Sequence, residues 1–184
     1  MPVEKNQKGN IEIVLREIEG IHGEKFCGKI RPIIYQNSKS GRIQFFLNQN
    51  LETTLQDYVI RVTNNFLKTH IYINGIQVHR SAQLWEPLFI NMQKWGDNVL
   101  RKYGLIPGET TQQLATDCAT DAAITLMEKQ FPYDTEFDPW AFNFVKFACL
   151  KAIERETKKS NQITEVLYQD GVFAISRYNG SISS

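Results

Sequence analysis

Between Ala82 and Lys159 the apolar residues recur at helical spacing in three successive stretches, and this periodicity commits almost half of the chain to helix. Leu84, Trp85, Leu88, Phe89, Met92, Trp95, Val99 and Tyr103 cover one broad face of a predicted helix from about Ala82 to Tyr103. Pro87 is tolerable there because it lies near the start. Gly104 to Thr110, with Pro107-Gly108 inside it, reads as a loop. A second helix is predicted from about Thr111 to Lys129. Phe131 to Pro139 is a loop, and a third helix runs from Pro139, which suits a first turn, to about Lys159.

The first eighty residues read differently. Ile11, Ile13 and Leu15 alternate, which favours strand. Gly20, Gly23 and Gly28 then punctuate the chain. Lys29–Tyr35 and Arg42–Leu47 flank a turn-like Asn37–Gly41 and predict a hairpin, with Pro32 placing its first strand at an edge. Asn50 is the expected cap of a helix from Leu51 to about Leu67, whose buried face would carry Leu55, Tyr58, Val59, Val62 and Phe66. Asn74-Gly75 between β-branched residues predicts a second hairpin, because a tight turn needs positive φ at both central positions. The expected class is therefore α+β. It comprises a disordered lead-in over 1–10, a small α+β domain over 11–80, a helical domain over 81–160, and a tail or linker over 161–184 with one strand-like piece, Gly171 to Arg177.

Composition narrows the function classes. The formal net charge of +1 gives no global basic footprint, so any nucleic-acid surface must be local. Cys27, Cys118 and Cys149 are widely spaced and form no ligand pair, and His22, His70 and His79 lack metal-site spacing. Gly104–Gly108 lacks the ending of a phosphate loop, and no nucleophile motif stands out. We expect no metal, no cofactor and no catalysis. No run approaches the roughly 18 apolar residues of a membrane span. Met1–Asn10 lacks an apolar signal core, so a reduced, cytoplasmic protein is expected.

Two helices carry patterns that bear on function. On the second, Leu114, Ala115, Cys118, Ala119, Ala122, Ala123, Leu126 and Met127 share one half of the wheel. Asp117, Asp121 and Glu128 share the other, with Ile124 among them. Such a ridge is either an ordinary solvated face or a surface for a basic partner. On the last helix, Trp140, Phe144, Phe147, Lys151, Arg155 and Lys158 share one stripe, with Lys146 and Lys159 beside it. Rings that stack on bases and cations that neutralise phosphates would hold a single strand. Core packing and the helix dipole would account for the same residues. The loop rings of Tyr133 and Phe137 are expected to be freer to meet bases.

These helices and their loop resemble region 2 of the bacterial sigma-70 family, especially its small extracytoplasmic-function-type members. Asp117-Cys118-Ala119-Thr120-Asp121-Ala122 stands where that family has an Asp-Leu-x-Gln-Glu-Ala run. Phe137-Asp138-Pro139-Trp140 and the basic end from Ile153 to Lys159 stand at the family's aromatic and basic positions. The resemblance covers about Ser81 to Lys159 and implies a three-helix bundle that docks on the clamp of core RNA polymerase and holds the opened −10 promoter strand. By position, Asp117, Thr120, Asp121, Ile124 and Glu128 would face polymerase. Tyr133, Phe137, Trp140, Lys146, Lys151, Arg155 and Lys158 would face promoter DNA. A regulatory partner or anti-sigma protein is a further implied contact. Thr120 and Cys118 depart from the family's Gln and Leu, and the loop is shorter. No second helix-turn-helix pattern is visible after Lys159, so the −35 contact falls to a missing segment or a separate partner, or is not made. The unit before Ser81 is not a standard family part and is expected to be regulatory or partner-binding. The alternative is a sigma-like docking module that binds no promoter itself.

Overall fold

The computed structural model describes residues 2–49 and 52–169, with side chains described over 9–49 and 52–158. Among the described residues every regular element is a helix: α1 (Pro2–His22), α2 (Glu24–Lys39), α3 (Arg42–Gln49), α4 (Leu55–Gln77), α5 (Ala82–Lys102), α6 (Glu109–Glu128) and α7 (Phe137–Gln169). The α+β expectation for residues 11–80 is thereby overturned: the N-terminal unit is α1–α4. The predicted strand-like piece at Gly171–Arg177 and the predicted Asn50 cap lie outside the described residues.

The correction has a local physical reason. Ile11, Leu15 and Ile18 are buried while Ile13 is exposed, so the working period in α1 is helical rather than alternating. In α2, Cys27, Ile30 and Ile34 line one buried stripe, and Pro32 sits inside the helix on its exposed side. The predicted turn at Asn37–Gly41 survives only as Ser40-Gly41, with Gly41 at φ 76°, and it joins two helices instead of two strands. Asn74-Gly75 makes no turn at all. Gly75 lies within α4 and is buried, and a Cβ there would come 2.4 Å from Leu84 Cδ1, so the missing Cβ leaves room for the Leu84 side chain of α5. The N-terminus of α4 is set by Thr54, whose side chain accepts from Asp57 N–H at 3.2 Å while Asp57 accepts from Thr54 N–H at 2.8 Å.

Helices α5, α6 and α7 pack on one another as a bundle. Helices α5 and α6 lie close to the expected boundaries, whereas α7 begins at Phe137 and continues to Gln169, about ten residues past its expected end at Lys159 and into the expected tail. The α5–α6 approach depends on small residues. Gly96 faces the backbone of Ala115, and Cys118, Ala119, Ala122 and Ala123 continue the buried face of α6. In α7 the buried stripe is Ala141, Val145 and Cys149, at steps of four. The N-terminal unit rests on this bundle through α4, which meets both α5 and α6.

Candidate functional site

The polar half of α6 faces outward because its other half is filled with Ala, Cys and Leu packed against α5 and α7. Asp117, Thr120, Asp121, Ile124 and Glu128 line this outward half, and Ile124 keeps 50% of its surface. Asp117 accepts a hydrogen bond from Gln113 at 3.0 Å. On α7, Lys146, Lys151, Arg155 and Lys158 are exposed, with Lys158 paired to Glu154 at 2.6 Å. That Lys158 ammonium holds the Glu154 carboxyl below its usual range.

The structure brings these two sets together. A groove of about 360 Å³ runs between α6 and α7, lined by Asp121, Ile124, Thr125, Phe144, Phe147 and Lys151. Phe147 is 67% exposed beside it. The acidic ridge and the aromatic-basic helix thus share one edge of the bundle. Phe147 was legible only as a member of the aromatic stripe. The missed signal is its angle: it lies two residues from buried Val145, about 200° around the helix.

Tyr133 of the α6–α7 loop and Phe137, which opens α7 instead of lying in the loop, are placed otherwise than expected. Tyr133 and Phe137 are 5% and 6% exposed, so neither ring is free to stack on a base. Tyr133 packs 5.0 Å from Phe66 and 4.7 Å from Phe131, and Phe137 meets Tyr72 edge-on at 5.5 Å. Burial pushes the Tyr133 phenol up to about 12. Trp140 is half-buried, edge-on to Phe131 at 5.1 Å and to Phe144 at 4.8 Å. The physical reason is supply of apolar surface: α4 of the N-terminal unit offers Phe66 and Tyr72 to these rings, and burial there outweighs exposure to water.

The N-terminal unit also holds the loop backbone. Asn37 donates to Pro132 O at 2.7 Å, Asn65 to Tyr133 O at 2.9 Å, and Gln77 to both Leu126 O and Lys129 O at 2.8 Å. Arg42 pairs with Asp134 at 2.6 Å, and Tyr58 donates to the same carboxylate at 2.9 Å. The Asp134 carboxylate raises the Arg42 guanidinium further above its ordinary value. Burial, followed by that carboxylate, raises the Tyr58 phenol. With its carbonyl held by Asn65, Tyr133 keeps a left-handed φ of 59°. Sequence patterning singled out none of Asn37, Arg42, Asn65 or Gln77, because a side chain that bonds a remote carbonyl leaves no periodic trace.

Among the described residues no group of His, Cys, Asp and Glu could hold a metal ion, and no helix is long and apolar enough to cross a membrane. Cys27, Cys118 and Cys149 are free and buried. No protein-family model, curated protein or solved structure matches the chain.

Proposed function

We propose that this chain is a cytoplasmic, sigma-factor-like transcription initiation protein that binds core RNA polymerase through α6 and holds an opened promoter strand with α7. The observation that carries the reading is the shared edge of the bundle, where Asp121 and Ile124 on α6 stand beside Phe147 and Lys151 on α7. Like charges on the ridge of Asp117, Asp121 and Glu128 favour a basic partner, and Ile124 supplies the apolar contact at its centre. Lys146, Lys151, Arg155 and Lys158 supply phosphate contacts. Phe147 takes the base-stacking role expected of Tyr133 and Phe137. The reading is tested by transcription in vitro with core polymerase and a promoter library. Asp121→Arg should abolish retention of the chain by core polymerase. Promoter opening that survives Lys151→Glu with Arg155→Glu would remove α7 from the mechanism.

The burial of Tyr133 and Phe137 favours a second reading, a sigma-like docking module without promoter contacts of its own. That module would be retained by core polymerase through Asp121 yet open no promoter in the library.

A further inference from the structure

A second concave site lies outside the α6–α7 edge. The α2–α3 turn, α3, α4 and the α6–α7 loop enclose an open pocket of about 460 Å³. This volume falls within the roughly 300–1,000 Å³ of small-molecule sites. Phe45 is 68% exposed, with its ring left out of the core that takes Phe46. Arg61 is exposed, and its guanidinium stands 5.6 Å over the Phe46 ring. Phe46 lies edge-on to Tyr58 at 5.1 Å, Tyr58 donates to Asp134 at 2.9 Å, and Asp134 is held by Arg42 at 2.6 Å. Each wall residue from Arg61 to Arg42 is therefore fixed by its neighbour.

The charge of the pocket is set by burial. The Asp134 side chain is 8% exposed and neutralised by Arg42, whose own side chain keeps 38% of its surface. The sign presented outward is positive, from Arg42 and Arg61. Ser40, Gly41 and Arg42 bring the start of α3 to the same wall, and the first N–H groups of a helix have no partners within it. A free aromatic face beside two guanidiniums and a helix start is chemistry for a flat base joined to a phosphate.

We propose that this pocket binds one nucleotide, its base stacked on Phe45 and its phosphate against Arg61, and that its natural occupant is a base turned out of an unpaired strand. The choice of a strand over a free nucleotide rests on the proposed handling of an opened promoter. The pocket is lined by Asp134 and Thr135 of the loop that leads into α7. The α1–α4 unit would then supply a base site that the buried loop rings do not.

Fluorescence anisotropy of the full chain with a short labelled single-stranded DNA tests the site, with adenosine monophosphate as competitor. Phe45→Ala and Arg61→Gln should each weaken strand binding by about tenfold, with melting monitored by circular dichroism as the control for folding. Failure of adenosine monophosphate to displace the strand supports the strand as occupant. Efficient displacement, sensitive to the same variants, keeps the nucleotide site and assigns it to free nucleotides. Unchanged affinity in both variants, or no binding of either probe, overturns the inference. If Lys151→Glu with Arg155→Glu abolishes strand binding while Phe45→Ala does not, the pocket fails and the proposed function of α7 stands. If Phe45→Ala weakens binding in a chain that core polymerase does not retain, the polymerase reading fails and the pocket stands.

Discussion

Arg42 grips Asp134 with two nitrogens, Nε and Nη2, each 2.6 Å from a different carboxylate oxygen, across 92 residues of sequence. This pair ties α3 of the N-terminal unit to the loop that joins α6 to α7. Arg42→Ala leaves a mostly buried carboxylate with Tyr58 as its remaining donor. The expected loss is about 2–4 kcal/mol of unfolding free energy, because a buried charge stripped of its partner is costly. Urea denaturation measures the loss. Amide exchange over residues 129–136 should accelerate more than exchange in α5.

Two glycines should respond in opposite directions. At Gly96 an added Cβ would meet Ala115 O at 3.2 Å, a backbone atom that moves only with its helix. Gly96→Leu forces α5 away from α6 and should cost about 1–3 kcal/mol or more. At Gly28, within α2, nothing lies within 4 Å of the added atom. Gly28→Ala should therefore stabilise the chain by roughly 0.5–1 kcal/mol through helix propensity alone. Thermal melting of the two variants should move the midpoint down and up respectively.

Alkaline pH should unfold the protein through its tyrosines. Burial pushes the phenol of Tyr133 from 10.0 up to about 12, and Tyr58 is raised as well. An acid whose value is raised by folding is neutral in the native state when it already ionises in the unfolded chain. Its contribution is fully present below pH 10 and is lost as pH rises towards 12. For Tyr133 the loss amounts to roughly 2–3 kcal/mol. Denaturation midpoints measured from pH 8 upward should be flat at first and then fall, and Tyr133→Phe should flatten part of that fall.

The cations of α7 are predicted to act on binding and not on folding. Lys151 and Arg155 are exposed, with no ion pair among those formed by the described residues. Lys151→Glu with Arg155→Glu should change stability by no more than about 0.5 kcal/mol. The same variant should weaken single-strand affinity at low salt, with a shallower dependence of affinity on salt concentration than the unaltered chain. Titration of labelled DNA over a salt series checks both parts.

The parts of the fold that were legible are those where long amphipathic runs repeat. On α6, Ala115, Cys118, Ala119, Ala122 and Leu126 are buried while Asp121 is exposed and Asp117 and Glu128 lie on the outward half, as the helical wheel places them. The misread parts are short and rich in β-branched residues. Ile33, Ile34 and Ile43 belong to helices, although their local preference suits strand equally. Gly75 looked like a turn residue because the same absence of Cβ serves both a positive φ and a tight helix contact.

By itself, the sequence determined the three amphipathic helices from Ala82 onward and the outward placement of Asp117, Asp121, Lys151 and Arg155. These arise from spacing along one helix, where neighbours three and four residues apart suffice to define a face. Tertiary structure alone decided that α1–α4 are helical and that Tyr133 and Phe137 are buried. It also decided that Asn37, Arg42 and Asn65 hold a loop some seventy to ninety-five residues away. Those outcomes depend on which apolar surface and which carbonyl a remote segment presents, and such a partner leaves no mark in the local pattern.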